Sequence, residues 1–264
     1  MIRLAANLST LFTELPFLDR FGAAAAAGFR HVECQFPYAV PAAEVAARLR
    51  DHGLQLALFN APPGDAAAGE RGLACLPGRE AAFDASLDLA LHYLEATGCR
   101  RLHVMAGLPP AGADPAACEQ LFIERIARAA RRLAPLGATV MIEPINTRVD
   151  VPGYLLSGTA QALRCLEAAA EPNIRLQYDC YHMQIMEGDL ARSIARLLPH
   201  IGHIQIADNP GRHEPGTGEV AWGFLLSHID RLGYTGIIGC EYLPATTTLG
   251  GLAWARPWLA TEHA

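Results

Sequence analysis

The stretch LFIERIARAARRLAPLGATVMIE, residues 121–143, contains one complete helix-to-strand unit and decides the fold class. Its first part, Leu121–Leu133, has apolar residues at helical spacing, and Gly137 follows where a helix would end in a left-handed turn. Its last part, Thr139–Glu143, is a short apolar run with the length and composition of a buried strand. A helix, a glycine and a short strand in this order are typical of α/β proteins.

The same unit recurs along the whole chain. Glycine also precedes other apolar runs, at Gly28, Gly53, Gly98 and Gly233. The eight runs that we predict as strands are Leu4–Leu8, His31–Phe36, Leu54–Asn60, Arg101–Ala106, Thr139–Glu143, Ile174–Asp179, His203–Ala207 and Ile237–Glu241. Eight strand–helix units in 264 residues have the size and rhythm of a parallel barrel. We therefore predict an α/β protein with a single (β/α)8 TIM barrel domain over residues 1–264.

A doubly wound parallel sheet has the same alternation and is the alternative fold. It is disfavoured because no G-x-G-x-x-G motif follows the first strand.

One connection is unusually long, the segment APPGDAAAGERGLACLPGR at residues 61–79. Long loops in compact domains are often functional, and this one leaves the carboxyl end of its strand, which is the catalytic face of TIM barrels.

The basic residues exclude several classes of enzyme. All 21 are arginines, and the chain contains no lysine. Schiff-base aldolases, enzymes that attach pyridoxal phosphate and proteins with the lysine-bearing phosphate loop all need that amine. The formal net charge of −6 also argues against a nucleic-acid partner, because a protein that binds nucleic acid needs a local excess of basic groups.

Cysteine usage and apolar patterning indicate the compartment. The seven cysteines form no C-x-x-C pair, which disfavours a disulfide framework or a cysteine zinc site and favours a reducing compartment. The start, MIRLAANLST, lacks the apolar run of a signal peptide, and no stretch is long enough to span a membrane. We therefore expect a cytoplasmic protein with no membrane partner. The apolar segment Leu252–Leu259 is compatible with core packing or with the interface of a homo-oligomer.

Polar side chains stand at or near the ends of the last four predicted strands. These side chains are Glu143, Asp179, Glu241 and Gln205, which lies two residues before its strand ends. In a closed barrel the four ends are neighbours, and three converging carboxylates repel each other unless a positive group lies between them. We therefore predict a divalent cation, Mg²⁺ or Mn²⁺, held by these four oxygen ligands. The alternative for each acid taken alone is that it begins a loop or caps the next helix.

Further polar residues are expected on the same face. His182 follows Asp179 by three residues, where a helix would place it beside the bound ligand or in a structural hydrogen bond. Arg212 lies in the polar, glycine-rich segment 208–219 after the seventh strand, and we predict that it reaches the substrate. Glu143 and Glu241 lie across the site and suit proton transfer at a carbon next to a carbonyl group. Hydrolysis by metal-activated water would use the same ligands and stays open.

Several long segments resemble one known family. They are LAANLSTLFTELPFLDRF (4–21), GDAAAGERGLACLPGRE (64–80), IEPIN (142–146), QYDCYHMQIMEG (177–188), GHIQIADNPGRHEPGTGE (202–219) and GCEYLPATTT (239–248). Together they resemble the hydroxypyruvate isomerase family of the xylose isomerase-like barrel superfamily, over essentially the whole chain. The resemblance implies a barrel that interconverts hydroxypyruvate and 2-hydroxy-3-oxopropanoate (tartronate semialdehyde), with no organic cofactor.

The resemblance also implies roles for individual residues. Glu143 and Glu241 match the family's proton donor and acceptor, and His182 and Arg212 match its substrate-facing histidine and arginine. The metal ligands of related sugar epimerases match Glu143, Asp179 and Glu241, whereas Gln205 stands where those epimerases have a histidine. Both acids that relatives of this kind isomerise carry a carboxylate, which must be bound by arginine or by backbone N–H groups. Arg71 and Arg79 in the long loop are therefore candidates for substrate binding alongside Arg212. The alternative for both is a solvated loop charge.

Other functions remain open at this point. The segments LALFNAPPGD (56–65) and LHVMAG (102–107) resemble 2-oxo-tetronate isomerases, which act on a four-carbon acid, whereas IEPIN and QYDCYHMQ favour hydroxypyruvate. A metal-dependent DNA-repair endonuclease is disfavoured by the negative charge and by the lack of the several histidines of a multi-zinc centre. A non-catalytic protein that binds sugar acids is a third class.

Overall fold

The computed structural model describes residues 2–259; residue 1 and residues 260–264 of the predicted domain lie outside the described part. Eight parallel strands pair in sequence order, and the last pairs with the first, so that the sheet closes into a barrel. The strands are β1 (Leu4–Asn7), β2 (His31–Cys34), β3 (Gln55–Asn60), β4 (Arg101–His103), β5 (Thr139–Ile142), β6 (Ile174–Asp179), β7 (Ile201–Ile206) and β8 (Ile238–Cys240). This confirms the predicted TIM barrel against the doubly wound alternative.

Helices cover the outside of the barrel. They are α1 (Asp19–Ala26), α2 (Ala42–Asp51), α3 (Glu80–Thr97), α4 (Pro115–Leu133), α5 (Thr159–Ala169), α6 (Cys180–Met186), α7 (Leu190–Leu197), α8 (Trp222–Arg231) and α9 (Arg256–Leu259). The helix predicted over Leu121–Leu133 is the main part of α4, which buries Phe122, Ile126 and Leu133. Gly137 has a φ of 62°, which is the left-handed conformation predicted before β5.

All eight predicted strands are present, with ends that differ by a few residues. The largest difference is at β4, which ends at His103 although we predicted a strand to Ala106. Beyond His103 the backbone turns toward the loops: Cys75 donates its N–H to the Ala106 carbonyl oxygen at 2.8 Å, and the Tyr154 hydroxyl accepts the Ala106 N–H at 2.8 Å. Loop contacts replace sheet pairing at this point.

The long connection at residues 61–79 is present as predicted and is firmly anchored. Arg125 of α4 is 4% exposed and donates to the carbonyl oxygens of Leu73 and, at 2.8 Å, of Leu76. Gly72 has a φ of 120°, and a Cβ there would lie 2.5 Å from the Met105 carbonyl oxygen, so no side chain fits. The loop is therefore held by α4 on one side and packed against the end of β4 on the other.

The C-terminal segment and the cysteines pack into the core. Leu252 and Leu259 are buried, and the ring of Trp254 packs edge-on against Tyr242, which favours the core alternative for Leu252–Leu259. All seven cysteines are free and buried, in agreement with the predicted absence of a disulfide framework. Within residues 2–259, no helix combines the length and apolar character needed to cross a membrane.

The interior of the barrel holds a buried carboxylate below the strand ends. Glu33 of β2 is 1% exposed; its Oε2 lies 2.6 Å from His203 Nε2, and its Oε1 accepts from Gln205 Nε2 at 2.7 Å. Gly239 of β8 provides the space, because a Cβ there would lie 2.3 Å from either Glu33 oxygen. We call Glu33, His203, Gln205 and Gln177 the inner polar layer; Gln177 Nε2 completes it by donating to Gln205 Oε1 at 2.6 Å.

Candidate active site

A cavity of about 260 Å³ opens at the carboxyl ends of the strands. It is smaller than the roughly 300–1,000 Å³ of pockets for drug-sized ligands, so it suits a short substrate. Its polar lining comes from most of the strand ends and the loops that follow them: Gln35, Asn60, Arg71, His103, Glu143, Asp150, Gln177, His182, Arg212 and Glu241. The structure therefore brings five of the predicted site residues, Arg71, Glu143, His182, Arg212 and Glu241, to one cavity.

Glu143 and Asp179 each keep one carboxylate oxygen without a partner. Glu143 follows β5 directly and Asp179 ends β6, and both are buried. Among the described residues, Glu143 Oε1 and Asp179 Oδ2 have no hydrogen-bond partner. The other oxygen of Asp179 caps α6, accepting the N–H of Tyr181 at 2.7 Å and of His182 at 3.2 Å. Asp179 thus caps a helix and still presents a free oxygen to the site.

Those two free oxygens lie close to a histidine. His182 Nε2 is 3.9 Å from Glu143 Oε1 and 3.9 Å from Asp179 Oδ2. Candidate ligand atoms of the three residues lie within 4.8 Å of one another, so the group could hold a metal ion. An unpaired buried carboxylate oxygen is costly, and a divalent cation would satisfy both oxygens at once. The donor set therefore fits a cation.

Gln205 and Glu241 have their oxygens in hydrogen bonds. Gln205 Oε1 accepts from Gln177, and its amide nitrogen donates to Glu33, so this side chain belongs to the inner polar layer. Glu241 Oε1 accepts from Asn7 Nδ2 at 2.9 Å and from Gln35 Nε2 at 3.0 Å. Binding of a cation by Gln205 or Glu241 would compete with these contacts and stays a prediction.

Arg212 is held over the site by charge and by an aromatic ring. Its Nη2 donates to Glu241 Oε2 at 3.0 Å and its Nη1 to Asp150 Oδ2 at 3.3 Å. The guanidinium carbon lies 5.0 Å from the centre of the Tyr181 ring. The loop that carries Arg212 is shaped by Asp208, whose Oδ2 accepts the N–H groups of Gly216 and Gly218.

The two arginines of the long loop have different environments. Arg71 is exposed and lines the cavity. Arg79 instead pairs with Glu70, which also accepts the N–H of Asp65 at 2.6 Å. Arg79 therefore organises the loop, and it is absent from the residues that line the described cavity.

Sequence reasoning singled out neither Asn146 nor Asp150. Asn146 is fully buried, and its Nδ2 lies 2.8 Å from His182 Nδ1 and 2.8 Å from Asp150 Oδ2. Asn146 lies in the segment IEPIN, which resembles a known family. That resemblance indicated that the segment belongs to the site, but it assigned no role to Asn146. The other polar contacts that the sequence did not indicate are made by Asn7, Glu33, Gln35, His103 and Gln177.

Burial shifts the pKa values of four residues in the site. Burial raises the pKa of Glu143 well above its usual range, and the neighbouring Asp179 and Glu241 raise it further. Burial raises the pKa of Glu241 to about 7, although Arg212 opposes the shift. Burial lowers the pKa of His182, and it lowers that of His103 to about 3, so both rings are neutral near pH 7. Carboxyl groups that hold or release a proton near neutral pH suit proton transfer.

Comparison with known proteins agrees with this architecture. The family model described as Xylose isomerase-like TIM barrel matches residues 21–258. A 2-oxo-tetronate isomerase of Cupriavidus necator is 53% identical over 259 residues, which cover 98% of this chain and 99% of that protein. The hydroxypyruvate isomerase of Escherichia coli K12 is 44% identical over 258 residues, which cover 98% of this chain and 100% of that protein.

One solved structure is similar along its whole length. The crystal structure of a protein titled AP endonuclease, family 2, from Brucella melitensis has a TM-score of 0.95 and is 49% identical. The match covers 98% of this chain and 99% of that chain. The fold is therefore shared with this protein over nearly the whole of both chains.

Proposed function

The chain belongs to the xylose isomerase-like TIM barrel family and is an isomerase, and we propose that its substrate is a short 3-hydroxy-2-oxo acid. Hydroxypyruvate and 2-oxo-tetronate both belong to this class, and the same transfer between C2 and C3 isomerises either one. The observation that carries the proposal is that Glu143 and Glu241 line one small cavity together with two arginines.

The choice between the two acids rests on different signals. The segments around the proposed catalytic residues favour hydroxypyruvate, whereas the overall identity is higher to a relative named 2-oxo-tetronate isomerase, at 53% against 44%. We propose both as substrates to be compared directly. The ratio of kcat/KM for the two acids, measured on one preparation, assigns the preferred one.

The proposed reaction moves the carbonyl group from C2 to C3 and gains or loses no atom. One carboxylate removes the C3 proton, an enediolate forms across C2 and C3, and a proton returns to C2 while the hydroxyl proton passes from O3 to O2. Glu143 and Glu241 are the proposed pair, because both line the cavity and burial raises the pKa of each, that of Glu241 to about 7. Each acts as the base in one direction of the reversible reaction.

The substrate carboxylate needs a cation of its own. Arg212 already contacts Glu241 and Asp150, whereas Arg71 makes no ion pair with any described residue and lines the cavity. We therefore propose Arg71 as the anchor of the substrate carboxylate and Arg212 as the group that orients Glu241 and the substrate oxygens. Arg79 supports this arrangement indirectly, through Glu70 and the loop.

Mg²⁺ or Mn²⁺ is the proposed cofactor. The unpaired oxygens of Glu143 and Asp179 would hold the ion, since hard divalent cations prefer carboxylate ligands. When bound, the cation would stabilise negative charge on the substrate oxygens. The chain's own residues hold the substrate and move the proton.

The test is isomerisation in D2O followed by NMR. We expect the purified protein to convert hydroxypyruvate or 2-oxo-tetronate into a product that carries deuterium at C2. We expect Glu143→Gln to lose about 100- to 10,000-fold in kcat, whereas Glu124→Gln, an exposed residue bonded to Gln120, should keep its activity. Substrate binding without turnover in the wild type would instead indicate a sugar-acid binding protein. Isomerisation without deuterium would contradict proton exchange with solvent.

A second candidate function is cleavage of abasic DNA, because the similar Brucella melitensis structure is titled an AP endonuclease. Two observations disfavour it. The formal net charge is −6, and among residues 2–259 one group of three side chains has the spacing to hold a metal ion, whereas a multi-zinc centre needs several. Incubation of a labelled abasic duplex with the protein and added Mg²⁺, Mn²⁺ or Zn²⁺ tests this second candidate, and we expect no cleavage above a protein-free control.

A further inference from the structure

We infer that Asn146 is a positioning residue that holds His182 as the neutral tautomer with its proton on Nε2. In that form His182 donates a hydrogen bond into the site and does not bind the cation. The hydrogen bonds around Asn146 carry the inference. Its last step, donation to a substrate oxygen, rests on the proposed function.

The orientation of the Asn146 amide is determined by its neighbours. Its Oδ1 accepts two backbone N–H groups, from Val149 and from Asp150, each at 3.0 Å. An amide nitrogen in that place would face two donors and would leave both backbone N–H groups without this acceptor. The NH2 group of Asn146 must therefore point the other way, toward Asp150 Oδ2 and His182.

That orientation determines where the imidazole proton is. The Asn146 amide nitrogen lies 2.8 Å from His182 Nδ1, and an NH2 group can only donate. His182 Nδ1 therefore accepts with its lone pair, and the single ring proton of the neutral imidazole is on Nε2. The other neighbour of Nδ1, Asp150 Oδ2 at 3.5 Å, lies at the limit of a hydrogen bond and already accepts from Asn146 Nδ2 and Arg212 Nη1. A ring protonated on both nitrogens would place two N–H groups against each other at 2.8 Å.

The proton on Nε2 changes the role of this nitrogen. Coordination of a metal ion needs the lone pair that the Nε2 proton occupies. His182 Nε2 is 3.9 Å from both Glu143 Oε1 and Asp179 Oδ2, which is too far for a direct hydrogen bond to either. The N–H group is therefore free for a third acceptor between them, and an oxygen of the substrate suits that place. The cation is left to the carboxylates.

The same amide also supports Arg212. Asn146 Nδ2 donates to Asp150 Oδ2, the same oxygen that accepts from Arg212 Nη1 at 3.3 Å. Arg212 in turn contacts Glu241. Asn146 therefore links His182, beside the proposed cation site, to the arginine that holds the second proposed catalytic carboxyl.

The direct test is long-range ¹H–¹⁵N NMR of the histidine rings, with the His182 signals identified by their loss in His182→Gln. In the wild type we expect the pattern of a neutral ring protonated at Nε2. In Asn146→Ala the donor to Nδ1 is lost and Asp150 Oδ2, 3.5 Å from Nδ1, is the remaining acceptor, so the pattern should shift toward a ring protonated at Nδ1. A wild-type ring protonated at Nδ1, or an unchanged pattern in Asn146→Ala, would overturn the inference.

Asn173→Ala is the matched control, because it removes an amide that donates to the carbonyl oxygens of Ala130 and Ala138, outside the site. We expect this control to keep the His182 pattern and kcat, whereas Asn146→Ala should lower kcat by about 10- to 100-fold. If kcat fell equally in the control, the effect at Asn146 would be structural and not specific to positioning His182. The NMR result does not depend on turnover, so it stands even if both proposed substrates fail.

Titration of Mn²⁺ into His182→Gln tests the second half of the inference. If the carboxylates hold the cation, the dissociation constant should change less than tenfold from that of the wild type. Loss of a direct ligand would weaken binding by more than about tenfold. The larger change would show that Nε2 binds the ion and would overturn the assignment.

Discussion

Asn7 Nδ2 lies 2.9 Å from Glu241 Oε1, and the same nitrogen lies 3.0 Å from Glu33 Oε1. One amide group therefore donates to a carboxyl of the cavity and to the carboxyl of the inner polar layer. Asn7 Oδ1 accepts the Ser9 N–H at 2.9 Å, which fixes the direction of the amide. Removal of Asn7 would leave these two buried carboxyls without the donor that they share.

We expect Asn7→Ala to lower both stability and activity. The loss of the shared donor should reduce the free energy of unfolding by about 1–3 kcal/mol, because two buried acceptors each lose a hydrogen bond. It should also reduce kcat by about 10- to 100-fold, since Glu241 loses one of its orienting contacts. Urea unfolding and initial rates measure the two effects. A stability loss with unchanged kcat would assign Asn7 a structural role alone.

Arg71→Gln should raise KM and leave kcat nearly unchanged. The proposed contact is to the substrate carboxylate, which does not react, so its loss weakens binding in the ground state and the transition state alike. A charge-assisted hydrogen bond is worth about 1.5–3 kcal/mol, which corresponds to roughly 10- to 150-fold in KM. Arg192→Gln, at a surface arginine with an 87% exposed side chain, is the matched control. An unchanged KM in Arg71→Gln would mean that this arginine is a solvated loop charge.

Binding of Mn²⁺ should release protons and strengthen as the pH rises. Burial raises the pKa of Glu143 well above its usual range, so toward acidic pH its carboxyl holds a proton that the cation must displace. At a higher pH the proton is already lost. Calorimetry near pH 6 and near pH 8, in buffers with different ionisation enthalpies, measures both the affinity and the number of protons released.

The stability of the metal-free protein should fall as the pH rises, whereas its affinity for Mn²⁺ should increase. Burial raises the pKa of Glu241 to about 7, so the folded state holds a proton more tightly than the unfolded state does. Its contribution to stability is therefore full at low pH and is lost as the pH rises through about 7. Added Mn²⁺ should raise Tm more near pH 8 than near pH 6. Asp179→Asn should remove most of this gain; an equal gain in that variant would place the ion elsewhere.

Arg125→Met should release the long loop from α4. The substitution leaves the buried carbonyl oxygens of Leu73 and Leu76 without their donor, each at a cost of about 1–3 kcal/mol. The chain has no lysine, so trypsin cuts it only after arginines, and Arg71 and Arg79 lie in this loop. We expect faster tryptic cleavage after these two residues, with α3 and α4 still intact by mass spectrometry. Unchanged cleavage would show that the contacts around Gly72 hold the loop without Arg125.

The sequence predicted the barrel because the features that specify it are local. A helix, a glycine and a short apolar run lie within about 20 residues of one another, as in residues 121–143. The convergence of acidic residues at the strand ends could also be predicted, because parallel strands that close a barrel bring their carboxyl ends together. Glu143 and Glu241 are therefore found at one cavity, as expected.

Contacts between distant segments could not be predicted in the same way. Gln205 was expected at the rim with Asp179, yet its amide is bonded to Glu33, which lies 172 residues away in sequence. Arg79 and Arg71 look alike in the sequence, and Glu70 distinguishes them only in three dimensions. The role of Asn146 depends on which neighbours its oxygen and nitrogen each face, and a sequence does not contain that information.

The anchoring of residues 61–79 has a consequence for kinetics. Contacts within the protein, from Arg125 on one side and from Gly72 against the end of β4 on the other, already order this loop. The conformational entropy of the loop is therefore lost during folding, and the encounter with substrate does not have to supply it. We therefore expect the association rate to be limited by diffusion and by electrostatic attraction to the arginines, and to depend strongly on ionic strength. The slower opening and closing of a lid should not limit it.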